Sequence, residues 1–173
     1  LEFRRVLFRS HHGTTRGCLL ALDALARNDR PRHVFDLGTG SGVLAIAAAK
    51  IFRVPVLATD IDPRAVEAAR DNARHNGVGT LVTAAHAAGL HAPEIVARAP
   101  FDLVMANILL APLLRLAAPL TLQLVPNARV VLSGLLDAQA NAAIAVYRSR
   151  GLALERVVSL EGWSTLTLLA RAG

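Results

Sequence analysis

Cysteine and lysine are almost missing from this 173-residue chain, which has one of each, Cys18 and Lys50. A single cysteine excludes an internal disulfide and a thiolate metal cluster, and it is consistent with a reducing, cytoplasmic setting. Aromatic residues are few, at five Phe, one Tyr and one Trp. The chain therefore has no cluster in which basic and aromatic side chains alternate as nucleic-acid modules require. No long apolar run is present. The most apolar stretch, Ile108 to Val125, is broken by Pro112, Arg115, Pro119 and Gln123. It is too interrupted to span a bilayer and reads as a helix buried on a sheet. No secretory signal, internal repeat or linker-like stretch is visible. Acid is in short supply, with 13 Asp and Glu against 19 Lys and Arg, for a formal charge of +6. The arginines are scattered, so a solvated Arg-rich surface is preferred to a nucleic-acid interface. No direct nucleic-acid, membrane or metal partner is expected.

The first ten residues differ from the rest. Leu1 to Ser10 holds Phe3, Phe8 and three arginines, whereas the remainder is rich in Ala and Leu. Residues 1–10 read as a non-native leader, and residues 11–173 as one domain of ordinary size. His11 and His12 have no further His, Cys or carboxylate cluster to complete a ligand set, which favours a surface or capping role.

What the chain does have is an acid followed by alternating glycines: Val34-Phe35-Asp36-Leu37-Gly38-Thr39-Gly40-Ser41-Gly42. The apolar run reads as a buried parallel strand. Val43 to Ala49 reads as a buried helix. Glycines between the two permit positive φ and close approach of backbone to a ligand, and the helix start supplies free N–H groups. A dinucleotide fingerprint is G-x-G-x-x-G, but here the third glycine comes one residue early and Val43 takes its place. A phosphate-cradling loop would need Lys-Ser/Thr where Val43-Leu44 stands. A second strand, Val54 to Ala58, ends at Asp60, placed to accept hydrogen bonds from both hydroxyls of a ribose. Asp62 reads as the N-cap and Pro63 as the first residue of a helix with Val66, Ala69 and Ala73 on its apolar stripe, stopped at Asn76-Gly77.

Phe101 to Leu109 contains another buried strand with Asn107 at its carboxyl end. Asp36, Asp60 and Asn107 all end strands, so all three are expected to face one crevice. Arg129 to Gly134 reads as a further strand and Asp137 to Arg148 as a helix closed by Gly151. Leu152–Leu160 and Trp163–Ala170 read as two final strands joined by Glu161-Gly162 at an antiparallel edge, with Trp163 in a packing role. Near the start, Cys18, Leu22 and Leu25 recur at helical spacing behind Thr14 or Thr15 as N-cap.

The acid with its glycine loop and the second acid at Asp60-Ile61-Asp62-Pro63 resemble the S-adenosylmethionine-dependent methyltransferases of the Rossmann-like class. The strings His12-Gly13-Thr14-Thr15, Asp71-Asn72-Ala73-Arg74-His75-Asn76-Gly77, Ala106-Asn107-Ile108-Leu109 and Leu132-Ser133-Gly134 narrow this. From about His12 to Ala170 the chain resembles the methyltransferases that modify the stalk-base protein of the large ribosomal subunit. The resemblance implies an α/β three-layer sandwich with a mostly parallel seven-stranded sheet and an antiparallel last strand. It implies S-adenosylmethionine as cofactor, bound by Thr15, Asp36, Gly38, Gly40, Gly42, Asp60 and Asn107. Thr15 would lie on a loop closing over the cofactor, Asp60 would hold the ribose and Gly38 would admit the amino-acid end. Asn107 would be the catalytic residue beside the incoming amine. The implied reaction is methyl transfer to amino groups, lysine side chains or the N-terminal amine, of a ribosomal protein.

Three departures stand out. Phe8-Arg9-Ser10-His11 replaces the Ala-Phe-Gly-Thr-Gly usual in the family. Pro126-Asn127-Ala128 replaces a Gly-Gly turn. The family's N-terminal substrate-recognition domain has no counterpart, so the chain reads as a catalytic domain alone. The competing readings are a methyltransferase for another amine or nucleic-acid substrate, and a cofactor-binding fragment without activity. A nicotinamide dehydrogenase is disfavoured by Val43.

Overall fold

The computed structural model describes residues 13–171. The expected leader, residues 1–10, and the His11-His12 pair lie outside the described residues. Seven strands form one sheet: β1 (Val34–Leu37), β2 (Val56–Asp60), β3 (Val82–His86), β4 (Phe101–Asn107), β5 (Leu124–Leu136), β6 (Leu152–Leu160) and β7 (Trp163–Ala170). Their order is β3-β2-β1-β4-β5-β7-β6. β1 to β5 pair in parallel, and β7 runs antiparallel to both β5 and β6. The expected antiparallel last strand is thus present, but as a wedge one place in from the edge, which β6 occupies. The strand order reverses between β1 and β4, the place where open α/β sheets bind ligands.

Helices α1 (Gly13–Leu25), α2 (Val43–Phe52) and α3 (Pro63–His75) pack on one face, sharing a core with Val34, Val56, Ala58 and Met105. α4 (Pro93–Val96), α5 (Leu110–Thr121) and α6 (Ala140–Arg148) cover the other face over Phe35, Leu57, Val104 and Val130. Both faces of the central strands are therefore buried, which is why β1 is apolar in succession rather than alternating. The start of α3 follows its sequence signals: the Arg64 backbone N–H donates to the Asp62 side chain at 2.9 Å, and Pro63 opens the helix. Asn76 ends it and Gly77 takes φ +73°. No helix among the described residues is long and apolar enough to cross a membrane.

Several elements differ from the sequence reading. Thr14 and Thr15 are not N-caps, because α1 already begins at Gly13. Packing extends the helix upstream: a Cβ on Gly13 would meet the Leu160 carbonyl, and the Ser133 hydroxyl donates to the Thr14 carbonyl at 3.3 Å. β5 is longer than Arg129 to Gly134 and takes in Pro126-Asn127-Ala128, with Asn127 at φ +65° beside a register shift. The apolar stretch is helical only over Leu110–Thr121, with Pro119 in its last turn.

Gly17 lets α1 lie directly on β7, since a Cβ there would overlap the Thr165 hydroxyl. Gly17→Ala is expected to destabilise the fold by about 1–3 kcal/mol through overpacking. Adding Thr165→Ala should recover part of that loss. Urea unfolding of the single and double variants checks it, and additive losses would contradict the close seat.

Candidate functional site: the carboxyl edge of β1, β2 and β4

The glycine loop leaves β1 with Gly38, Gly40 and Gly42 at φ +70°, +54° and +86°. These left-handed conformations explain why glycines alternate here. The loop is tied to the neighbouring strand, as the Gly38 and Thr39 N–H groups donate to the Thr59 carbonyl at 2.8 and 2.9 Å. Asp60 completes the tie. Its Oδ2 accepts from the Gly40 N–H at 2.9 Å and its Oδ1 from the Asp62 N–H at 3.0 Å. A carboxylate has about four acceptor positions, so Asp60 keeps capacity for hydroxyl donors while holding the loop.

Asp36 does not face the crevice as expected from its place near a strand end. It is 1% exposed and lies beneath the loop. Its Oδ2 accepts from the Thr39 hydroxyl at 2.6 Å and the Ala45 N–H at 3.0 Å, joining loop to helix α2. Its buried Oδ1 has no hydrogen-bond partner among the described residues. Burial pushes its carboxyl up to about 6, against the pull of the Thr39 and Ala45 hydrogen bonds. The buried Thr59 hydroxyl is likewise unpartnered. Two orphaned polar atoms beside one loop invite a polar ligand, because buried polar groups are normally satisfied.

A cavity of about 250 Å³ opens at this edge. Gly38, Asp60, Ile61, Ala87, Ile108 and Leu116 are among its lining residues. Polar groups thus lie on the loop side, and apolar side chains on the others. Ile61, 71% exposed, stands at its rim. Gly38 and Asp60 line it, whereas Thr15, Asp36, Gly40, Gly42 and Asn107 do not. Asn107 ends β4 in register with Ser133, next to the Leu37–Ala106 pair, and is half-buried beside the mouth. Thr15 sits in the first turn of α1 rather than on a loop, at the same end of the sheet, since the neighbouring Thr14 carbonyl meets Ser133.

Sequence reasoning missed Ile108 and Gly134. A Cβ on Gly38 would overlap the Ile108 side chain, and one on Gly134, at φ +82°, would overlap the Ile108 carbonyl. Ile108 is therefore held between the glycine loop and β5, which fixes the peptide that follows Asn107. Nothing in the composition of either segment marks that contact. No group of three or more potential metal ligands occurs among the described residues.

Comparison with known proteins agrees with this geometry. The family profile described as ribosomal protein L11 methyltransferase matches residues 9–171. The ribosomal protein L11 methyltransferase of Rhodopseudomonas palustris is 60% identical over 91% of this chain and 54% of its own length. That of Bradyrhizobium diazoefficiens is 56% identical over the same shares. The chain thus spans about half the length of the curated relatives it matches. Among solved structures, the ribosomal protein L11 methylase of Lactobacillus delbrueckii subsp. bulgaricus superposes with a TM-score of 0.84 at 30% identity, over 94% of this chain and 81% of that one. An RNA methyltransferase of Salinibacter ruber, solved with S-adenosyl-L-homocysteine, gives 0.68 at 26% identity, over 88% and 90%. By its profile match and its identity to these relatives, the chain belongs to the ribosomal protein L11 methyltransferase family.

Proposed function

We propose that the chain carries the catalytic half of an enzyme that moves methyl groups from S-adenosylmethionine to amino groups of a large-subunit ribosomal protein, in the cytoplasm. The arrangement of Gly38, Asp60 and Asn107 along one sheet edge, in a member of this family, carries the reading. The residues present fit the cofactor. Spare acceptor capacity on Asp60 suits ribose hydroxyls, and the Cβ-free Gly38 admits close backbone approach. Asp36, beneath the loop, puts negative charge under a cationic amino group without touching it, and Ile61 and Ile108 offer apolar surface to a base. When bound, the cofactor supplies an electrophilic methyl group on a positively charged sulfur.

The chain's own residues then have two tasks. One is to keep the acceptor amine neutral: a free lysine titrates near pH 10.4, and only the unprotonated amine has a lone pair. Partial burial beside a positive sulfur lowers that value. The other is alignment, which can supply several kcal/mol when donor and acceptor are held in attack geometry. Asn107, at the mouth, accepts an amine N–H through its side-chain oxygen and aims the lone pair. Thr15, on α1 above the same edge, adds to the cofactor's cover, and Gly40 and Gly42 set the loop. No separate general base is required.

Calorimetry with S-adenosylhomocysteine tests the cofactor site. Asp60→Ala is expected to weaken binding about 10- to 100-fold, the range for hydrogen bonds to a charged acceptor. Absence of binding by the unaltered protein would refute the reading. Transfer of labelled methyl groups to the purified ribosomal protein tests the substrate, and labelling of lysine or N-terminal peptides locates the amines.

A further inference from the structure

The arginines are scattered in sequence, but the fold gathers them. Arg30, Arg32, Arg53, Arg98 and Arg150 lie in the segments leading into β1, β2, β4 and β6, and Arg171 follows β7, which runs the opposite way. All six are exposed and lie at the end of the sheet away from the glycine loop. From β2 to β6 this stripe crosses five strand spacings, about 24 Å. None of the six forms an ion pair among the described residues. Arg30 donates to the carbonyls of Ala26 and Asp29, and Arg98 to the Thr83 hydroxyl. Three carboxylates near this end are committed: Asp102 accepts the Arg32 and His33 backbone N–H groups, and Asp29 and Glu155 pair with Arg129. A cleft of about 440 Å³ opens within the stripe, with Arg32, His33 and Arg98 in its wall. At the opposite edge Asp62 and Glu161 are paired with Arg64 and Arg16, and Asp60 and Asp137 form no ion pair among the described residues.

The helix dipole favours cations in the last turn of a helix. Arg53 is the C-cap of α2, and Arg98 and Arg150 stand one residue past the C-caps of α4 and α6, where the dipole favours a cation; Arg30, Arg32 and Arg171 lie in segments beyond its reach. We infer that this amino-end face binds the phosphodiester backbone of RNA. Unpaired guanidinium groups recognise phosphate in a forked geometry and release its counterions on binding. The loops carry no Phe, Tyr or Trp on which bases could stack, so contact is to backbone and indifferent to sequence. RNA is the polyanion of choice because the proposed substrate is a ribosomal protein, whose surroundings are RNA; the inference rests on that reading. The face lies opposite the cofactor crevice, so RNA and cofactor bind independently.

The test is fluorescence anisotropy of a labelled 20-base-pair RNA with the 173-residue protein between 50 and 200 mM salt. Two charge-reversed proteins are compared, Arg32→Glu/Arg53→Glu/Arg98→Glu and Arg4→Glu/Arg5→Glu/Arg9→Glu, which change net charge equally. Wild type is expected to bind at 50 mM salt, with affinity falling steeply as salt rises. The first variant should bind at least 10-fold more weakly, with a log–log salt slope shallower by roughly 2–3, at about 0.9 per phosphate contact. The second should change by less than about 3-fold. Unaltered S-adenosylhomocysteine affinity shows that both variants are folded. Equal losses in the two variants, no binding at 50 mM salt, or tighter association with phosphatidylserine vesicles than with RNA each overturn the inference. Wild type that binds RNA but not S-adenosylhomocysteine overturns the methyltransferase reading instead.

Discussion

Asn107→Ala is expected to reduce methyl transfer at least 100-fold while S-adenosylhomocysteine affinity changes by less than about 3-fold. The asymmetry follows from position. Asn107 ends β4 beside the cavity, yet its side chain is not part of the cavity wall, whereas Gly38, Asp60 and Ile108 are. On the proposed reading, losing it removes the acceptor that orients the incoming amine but leaves the cofactor's contacts in place. Losing one oriented hydrogen bond in a transition state costs about 3–4 kcal/mol, or 100-fold and more. Single-turnover transfer to the ribosomal protein and calorimetry measure the two quantities separately. Parallel falls would mean that Asn107 holds the cofactor instead, and unchanged turnover would remove it from the mechanism. Asn107→Asp should not restore activity, because a carboxylate beside the acceptor favours the protonated amine.

The second large effect concerns Asp36. Its folded value of about 6 lies above the ordinary 3.8, and burial is the chief cause. The folded state therefore holds this proton more tightly than the unfolded state. The resulting stability is fully present below about pH 4 and is lost as pH rises through about 6. Two units correspond to about 3 kcal/mol. Asp36→Asn should remove this loss, so its stability relative to wild type improves between pH 4 and 7. The same change takes a negative charge from beneath the glycine loop, and cofactor affinity at pH 8 should fall at least 10-fold. Chemical unfolding at several pH values and calorimetry at pH 8 check both halves. Parallel stability profiles for the two proteins would show that Asp36 does not titrate as described. In wild type the same ionisation is expected to make cofactor binding weaken below about pH 6.

Much of this edge is legible in the residues themselves. The spacing of Gly38, Gly40 and Gly42 demands left-handed backbone, and each takes it. Asp62-Pro63 and Asn76-Gly77 bound α3 because caps are local chemistry, written within four residues. Asp60 is found at its strand end for the same reason. What escapes the sequence is set by contacts between distant segments. Asp36 looks like a crevice residue from its strand position, but Thr39 and Ala45 turn it inward as a staple. Thr14 and Thr15 look like caps, but they lie inside α1, where Gly13 seats against the Leu160 carbonyl. Ile108 acquires its place only when Gly38 and Gly134 arrive from other strands. The arginine stripe is invisible for a related reason: its members are up to 141 positions apart (Arg30 to Arg171) and meet only through strand order.

Helix α1 starts at the carboxyl edge of the parallel strands, with Gly13 against the Leu160 carbonyl, Arg16 paired to Glu161 at 2.8 Å and Thr14 against Ser133. A polypeptide joined ahead of Gly13 by a short linker is consequently tethered beside Asn107 rather than at the far end of the sheet. Tethering of this kind raises the local concentration of whatever it carries to the millimolar range without any new contact. A weak acceptor-binding module fused there gains more than the same module fused after Arg171, which leaves the sheet at the opposite end.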